Sequence, residues 1–314
     1  MKYYEMDELA VPLSKIVFGC ENPLMVRGKS FRSMMLLDHG FRQGINVYDT
    51  ARVYGQSERV LGKWINKRKI RDKVVIISKG CHPNPAMRIT AKALKEDLDE
   101  SLRQLEADYV DIYLLHRDSP ETDIPEILTE LNRYQKEGRI KIFGVSNWTY
   151  ERIQYANECA VRMGLNGFTA SSPNYGVGLQ KGDPWKGGVS ISGNKNEIAW
   201  YSRNQMPVFA YSCLGRGLFS GKVRSDSIKA DKEKIDQYAI EGYWCEENIR
   251  RLERVEAMAE KKGATVAQIA MAYIINSDMN AFPIVRLSTK KRIDEAVRAC
   301  GVNLSEDEIK WIEG

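Results

Sequence analysis

Residues Ile45–Tyr54 read Ile-Asn-Val-Tyr-Asp-Thr-Ala-Arg-Val-Tyr, an apolar strand that ends on a carboxylate. Strand alternation places Ile45, Val47 and Asp49 on one face. An ionised aspartate at the end of a buried strand costs free energy unless a cation or several donors meet it. The stretch therefore predicts a partner for Asp49 elsewhere in the chain, while Tyr54 begins a loop that can fold back over the same strand end.

Similar apolar runs, rich in β-branched residues, alternate with helical patterns along the chain. The predicted strands are Ile16–Cys20, Ile45–Asp49, Val74–Ser78, Tyr109–Leu115, Ile140–Val145, Phe168–Ser172, Pro207–Tyr211 and Ala281–Val285. Several are apolar on both faces, which is typical of parallel strands covered by helices. Eight such units predict an α/β protein with a (β/α)8 TIM barrel, one domain over residues 1–314.

Helix starts can be located between these strands. Leucines at positions 94, 98, 102 and 105 form one stripe on a helix that begins near Thr90. Further starts are predicted at Asp123 and Ser305, each with a glutamate three residues on, and at Thr265, which precedes an apolar stripe. Two insertions interrupt the alternation: a Gly-rich loop, Gly176–Asn194, after the sixth strand, and residues 212–263, with extra helical pattern, after the seventh. Long loops of this kind usually bind ligands or cover sites.

The composition limits the class of protein. The 314 residues are 43% hydrophobic and 28% charged with a net charge of +5, and the basic residues form no long run, so we expect no nucleic-acid partner. The six cysteines lie far apart, and we expect buried free thiols. The three histidines have no metal-ligand spacing, so no metal is expected. Without an apolar leader or spanning run, we expect a cytoplasmic protein with no membrane contact. The oligomeric state is left open.

Polar residues follow three successive strands: Asp49, Lys79 and His116. The C-terminal ends of barrel strands are where catalytic residues of such barrels lie. Lys79 can neutralise Asp49, and we expect its ammonium to lower the pKa of Tyr54, so that the phenol exchanges a proton near neutral pH. His116 can orient a carbonyl oxygen. Each residue alone has an ordinary structural explanation, but the four together favour a catalytic site.

Sequence motifs then identify a resemblance. They are Val-Tyr-Asp-Thr-Ala around Asp49, Tyr54-Gly-x-Ser-Glu58, Ile-Ser-Lys79-Gly, Asp111-Ile-Tyr-Leu-Leu-His116, Gly144-Val-Ser-Asn147-Trp and Ala210-Tyr-Ser-Cys-Leu-Gly215-Arg-Gly-Leu. In this order, over nearly the whole length, the chain resembles the aldo-keto reductases. The resemblance implies a nicotinamide cofactor across the strand ends and reduction of an aldehyde, ketone or sugar-like carbonyl. It implies Tyr54 as general acid, Asp49 and Lys79 as the residues that tune it, and His116 as the residue that orients the substrate.

The resemblance also implies cofactor contacts. Ser146 and Asn147 are expected at the nicotinamide carboxamide and Tyr175 on the nicotinamide ring. Ser172 stands where the family often has glutamine and is counted with these contacts. The pyrophosphate is expected at Ser212, Leu214, Arg216 and Gly217, where glycines let backbone N–H groups approach. Arg286, Ser288 and Arg292 are expected at the adenosine ribose, and their basic character favours NADP, with NAD as the alternative. Ala296 stands where asparagine is common at the adenine.

The substrate pocket is expected between Asn22–Gly28, Cys81–Met87, Arg117, the Gly176–Asn194 loop and Tyr243–Trp244. The sequence also leaves two other functions open. The chain could act as an NAD(P)-dependent dehydrogenase of an alcohol or sugar, or as an epimerase, with Tyr54 as the base. It could also be a cofactor-binding regulatory subunit, against which the intact catalytic residues argue.

Overall fold

A computed structural model describes residues 1–228, 230 and 232–314, and its centre is a closed barrel of eight parallel strands. The barrel strands are β3 (Val17–Gly19), β4 (Val47–Asp49), β5 (Val75–Gly80), β6 (Val110–Leu115), β7 (Ile140–Ser146), β8 (Ser171–Ser172), β9 (Val208–Ala210) and β10 (Ala281–Val285). They follow one another in chain order, and β10 closes the ring by pairing with β3. The (β/α)8 prediction is confirmed, and every predicted strand overlaps an observed one, although β5 and β7 extend beyond their predicted ends to Gly80 and Ser146.

A short hairpin not predicted from the sequence precedes the barrel. Its strands, β1 (Tyr3–Tyr4) and β2 (Leu13–Ser14), pair antiparallel. Leu13 packs with the barrel-interior side chains Val17 and Val47, and Tyr4 meets the ring of Phe282 edge-on at 5.9 Å between ring centroids. The hairpin thus covers apolar side chains at the end of the barrel opposite the strand C-termini.

Helices surround the barrel. They are α1 (Pro23–Val26), α2 (Ser30–Arg42), α3 (Ser57–Arg68), α4 (Ala91–Leu105), α5 (Ile124–Lys136), α6 (Tyr150–Met163), α7 (Lys195–Asn204), α8 (Gln237–Tyr243), α9 (Glu246–Lys262), α10 (Val266–Ile275), α11 (Lys290–Ala299) and α12 (Glu306–Glu313), with 3-10 turns at Arg71–Lys73, Gly215–Gly217 and Lys232–Lys234. The predicted insertions are confirmed, since residues 176–194 precede α7 and residues 212–263 contain α8 and α9.

The predicted helix starts are confirmed with one difference in capping. The side chains of Thr90, Asp123, Thr265 and Ser305 each accept a hydrogen bond from the first turn of their helix. Ser305 forms a reciprocal capping box with Glu308, whereas Asp123 caps α5 in one direction only. Helix α10 differs from the expected stripe: all of its residues from 267 to 275 are buried, because it packs between α9, α11 and β10.

Alternation along β4 explains how the Ile45–Tyr54 stretch positions its carboxylate. Val47 points into the barrel interior, where it packs in a small apolar cluster. Tyr48 points outward and packs between Phe18 and Trp64, with ring centroids 5.7 and 5.1 Å away. Asp49 therefore points inward again, at the C-terminal rim of the barrel.

The remaining predictions from composition concern thiols and membranes. All six cysteines are free, and five of them are buried, as expected. Within residues 1–228, 230 and 232–314, no helix combines the length and apolarity that a bilayer crossing requires.

Candidate active site

A cavity of about 600 Å³ lies at the C-terminal ends of the barrel strands. Residues at or just after the ends of all eight strands line it: Gly19, Asp49, Lys79, His116, Ser146, Ser172, Tyr211 and Val285. Tyr54 lines the same cavity from the loop after β4. The structure thus brings together the four residues that the sequence predicts to be catalytic.

Asp49 and Lys79 form a buried ion pair at the floor of this cavity. The Lys79 ammonium donates a short hydrogen bond to Asp49 Oδ1 and a second one, of 3.0 Å, to the Thr50 carbonyl oxygen. Burial raises the pKa of the Asp49 carboxyl, and the Lys79 charge opposes that shift. The partner that the sequence requires for Asp49 is therefore Lys79.

Tyr54 lies over this pair, but its pKa is shifted opposite to the prediction. The Lys79 ammonium is 5.3 Å from the centroid of the Tyr54 ring. Burial, with the negative charges of Asp49 and Glu21, raises the Tyr54 pKa well above its ordinary value. The predicted lowering of this pKa is wrong because Asp49 neutralises the Lys79 charge and the enclosed phenol loses its hydration.

His116 is buried and neutral at pH 7. Burial, followed by the charges of Lys79 and Arg117, lowers its pKa well below the ordinary value. Its ring lies edge-on to Tyr54, 5.8 Å between centroids, and Nδ1 has no hydrogen-bond partner among the described residues. The His82 ring is closer, at 4.8 Å, and its Nδ1 lies 3.1 Å from the Pro83 carbonyl oxygen. The sequence placed His82 in the pocket segment Cys81–Met87, though not among the catalytic residues.

Polar side chains at the ends of β7 and β8 form a connected network. The Asn147 amide donates to the His116 carbonyl oxygen at 3.1 Å and to Ser146 Oγ at 3.0 Å. Asn147 Oδ1 accepts from the Tyr211 hydroxyl at 2.7 Å. Ser172 Oγ donates to a carbonyl oxygen of β9. Ser146, Asn147 and Ser172 all line the cavity, where the sequence expected them.

Tyr175 does not belong to the site, contrary to the sequence prediction. It is only 2% exposed, its ring packs on Tyr273, 5.8 Å between centroids, and it lies outside the cavity lining. Tyr211, directly after β9, is one of the aromatic residues that do line the cavity. The motif that begins at Ala210 contains Tyr211, so the signal was present in the sequence.

The loop after β9 has a backbone suited to an anion. Ser212, Gly215, Arg216 and Gly217 have φ angles of 48°, 54°, 55° and 108°. Left-handed residues close together turn backbone N–H groups toward one side and form a concave anion-binding surface. Ser212, Leu214, Arg216 and Gly217 all line the cavity as predicted, so this segment fits a diphosphate.

The cavity lining has a basic end at Arg286 and Arg292, which follow β10. The exposed Lys222, which the sequence analysis missed, also lines the cavity. Arg286 forms an ion pair with Glu21 at 3.3 Å, whereas Arg292 donates to Ser288 Oγ at 2.9 Å. Ser288 thus contacts Arg292 without lining the cavity itself. The neighbouring Ala296, expected near the adenine, is fully buried within α11 and lies outside the lining.

The Gly176–Asn194 loop forms part of the cavity wall through Trp185. This ring stacks on Tyr238 of α8 and meets Tyr211 edge-on, with centroids 5.9 Å apart in both pairs. The Arg216 guanidinium lies 5.4 Å from the Trp185 centroid and pairs with Asp236 at 3.6 Å. The expected pocket role of Tyr243–Trp244 is wrong, because neither residue lines the cavity.

The sequence of this chain is similar to those of several known proteins. The Aldo/keto reductase family model matches residues 31–314. Versiconal hemiacetal acetate reductase of Aspergillus parasiticus is 26% identical, over 100% of this chain and 96% of that protein. The probable aldo-keto reductase 1 of Glycine max is 26% identical, over 96% and 84% respectively. Norsolorinic acid reductase B of Dothistroma septosporum is 27% identical, over 88% of this chain and 70% of its own length.

Proposed function

Because this chain belongs to the aldo/keto reductase family and is an NAD(P)H-dependent oxidoreductase, we propose that it uses NADPH to reduce a small aldehyde, ketone or sugar-like carbonyl. The observation that carries the proposal is the meeting of Tyr54, His116 and the buried Asp49–Lys79 pair in one cavity. Two of the relatives are named as reductases, one of versiconal hemiacetal acetate and one of norsolorinic acid, which supports the same direction.

When bound, a nicotinamide cofactor would supply the hydride for the carbonyl carbon. Within the cavity, Ser146, Asn147 and Ser172 are the polar groups for its carboxamide, and Tyr211 offers the aromatic face for its ring. The diphosphate fits the concave backbone at Ser212, Leu214, Arg216 and Gly217.

Tyr54 is the proposed proton donor to the carbonyl oxygen. Since its pKa is raised, the phenol stays protonated at neutral pH and can donate. The neutral His116 ring can donate one hydrogen bond that orients the same oxygen. The Asp49–Lys79 pair presents a compensated charge beneath the tyrosine, which avoids an isolated buried ion at the site.

The state of Tyr54 also bears on the alternative dehydrogenase function. Oxidation of an alcohol requires the phenolate as base, and a raised pKa makes that form scarce at neutral pH. We therefore propose reduction as the direction at neutral pH.

The experiment that tests the proposed function is an assay of NADPH consumption with neutral aliphatic and aromatic aldehydes, together with a direct NADPH-binding titration. Binding without turnover of any carbonyl would overturn the proposal and favour the regulatory-subunit alternative.

The NADP preference rests on the basic end of the cavity. Replacing Arg292 removes a guanidinium from this end, so Arg292→Ala is expected to weaken NADPH binding roughly 10-fold or more, as for loss of one charged hydrogen bond. The affinity for NADH, which lacks the ribose phosphate, is expected to change far less. Fluorescence titration of both cofactors measures the difference.

The matched control for this prediction is Lys291→Ala. Lys291 is an exposed cation next to Arg292, but it does not line the cavity. Its replacement should leave both affinities nearly unchanged. Tighter NADH than NADPH binding by the wild type, or equal losses for the two cofactors in Arg292→Ala, would contradict the NADP assignment.

A further inference from the structure

Arg117 is a buried cation at the reacting end of the cavity. It follows His116 directly, lines the cavity and is 9% exposed. Its positive charge acts to lower the pKa values of Tyr54, His116 and Tyr211, which line the same cavity.

The hydrogen bonds of Arg117 use only part of its donor capacity. NH1 donates to the His116 carbonyl oxygen at 2.9 Å, and Nε donates to the Lys186 carbonyl oxygen at 3.4 Å. NH2 donates to no protein atom in the part of the chain that the structure describes. This nitrogen is not fully enclosed, and Arg117 lines the cavity. A guanidinium has five N–H donors, so donors remain for a ligand.

Arg117 also forms no ion pair with a carboxylate within residues 1–228, 230 and 232–314. Three other cations that line the cavity each have a carboxylate partner: Lys79 pairs with Asp49, Arg216 with Asp236 and Arg286 with Glu21. Arg292 and Lys222 have no carboxylate partner among the described residues, but they are exposed to solvent. Within the described part of the chain, Arg117 is therefore the buried cation of this cavity that lacks a carboxylate partner.

A buried guanidinium without a carboxylate costs free energy, and an anion that binds beside it recovers part of this cost. Arginine is the side chain best suited to this, because its planar fork matches the oxygens of a carboxylate or phosphate. The apolar side chains of Val26, Val53 and Trp185 line the same cavity and leave room for a carbon skeleton.

We propose that Arg117 binds an anionic group of the substrate, so that this reductase prefers carbonyl compounds that also carry a carboxylate or a phosphate. The inference rests on the proposed carbonyl reduction and names the substrate class for the same site. The anion would lie next to the carbonyl group that Tyr54 and His116 bind.

A purely structural role for Arg117 makes a different prediction. Its bond to the Lys186 carbonyl oxygen ties the Gly176–Asn194 loop to the barrel. If Arg117 only anchored this loop, its removal would weaken turnover of neutral and anionic substrates by the same factor. The ratio of kcat/KM for the anionic substrate to kcat/KM for the neutral one therefore distinguishes the two roles.

The test compares matched substrate pairs with NADPH: butanal with succinic semialdehyde, and glyceraldehyde with glyceraldehyde 3-phosphate. We expect the wild type to favour at least one anionic member by roughly 10- to 100-fold in kcat/KM, as for one or two charged hydrogen bonds. Arg117→Met should abolish most of that ratio, and Arg117→Lys should restore part of it. The substrate pair that shows the preference identifies the bound anion as a carboxylate or a phosphate.

Arg152→Met is the matched control. Its guanidinium lies 5.2 Å from the Trp148 ring, whose indole N–H donates to the Arg117 carbonyl oxygen, but it pairs with Asp118 and does not line the cavity. The kcat/KM ratio of anionic to neutral substrate should stay at its wild-type value in this variant. Equal kcat/KM for both members of both pairs in the wild type would overturn the inference while leaving the reductase function intact. Absence of turnover for every aldehyde would instead overturn the reductase function.

A binding measurement gives a readout independent of turnover. With NADP⁺ present, benzoate is expected to raise the melting temperature of the wild type more than the uncharged benzamide does, because a ligand that binds only the folded state stabilises it. The benzoate effect should shrink in Arg117→Met and persist in Arg152→Met. An undiminished benzoate effect in Arg117→Met would contradict the proposed subsite.

Discussion

Tyr54→Phe protein is expected to lose about 10²- to 10⁴-fold in kcat for carbonyl reduction, the usual range for a positioned general acid. The substitution removes only the phenolic oxygen, so the ring over the Asp49–Lys79 pair and the cavity wall stay in place. NADPH affinity should therefore change little. Steady-state kinetics with the best aldehyde and a fluorescence titration with NADPH measure the two quantities separately.

The matched control is Tyr155→Phe, which removes a hydroxyl from an exposed tyrosine of α6, outside the cavity. It should retain wild-type kinetics. The raised pKa of Tyr54 adds a pH test, because the phenol stays protonated up to its folded-state pKa. The wild-type rate should therefore not fall through loss of this proton donor at any pH below the ordinary tyrosine pKa of about 10. A Tyr54→Phe enzyme with more than a tenth of wild-type kcat would contradict the assigned role.

Lys79→Met is expected to destabilise the protein by about 3–5 kcal/mol, the cost of leaving one member of a buried ion pair unpaired. Asp49 loses the ammonium that opposes the effect of burial, so its raised pKa should rise further. A carboxyl with a folded-state pKa above its unfolded value binds more protons when folded, and stability then falls as pH rises through that range. Urea denaturation at several pH values measures both the loss and its pH dependence.

The double variant Asp49→Asn/Lys79→Met is the control for this prediction. It removes both charges, so much of the lost stability should return, with a coupling energy between the two sites. Activity should stay low, because the charge environment of Tyr54 has changed. If Lys79→Met unfolded at the wild-type urea concentration, the pair would not hold the site together as described.

The barrel could be predicted from the sequence because its pattern is local. Each strand is a short run of apolar, β-branched residues, and its alternation alone orients side chains such as Val47, Tyr48 and Asp49. Residues at strand C-termini must meet at one rim, so Asp49, Lys79 and His116 could be placed together before the structure. The one-domain organisation, the cytoplasmic location and the lack of a nucleic-acid partner stay predictions.

The errors concern properties that depend on distant parts of the chain. Tyr175 follows the two-residue strand β8, and its ring turns toward Tyr273 of α10, a contact that local pattern does not encode. The pKa of Tyr54 depends on how deeply the phenol is enclosed and on Asp49 and Glu21. That no described carboxylate pairs with Arg117 likewise emerges only once the loops have packed over the barrel.

The most direct test of the central claim uses NADPH carrying deuterium at both positions of nicotinamide C4. The purified protein is incubated with this cofactor and an aldehyde, and the alcohol is analysed by mass spectrometry and NMR. The account predicts one deuterium on the carbinol carbon of the product, and at most about one hundredth as much of this product with Tyr54→Phe at matched times. An alcohol without deuterium, or no alcohol from any carbonyl although NADPH binds, would contradict it.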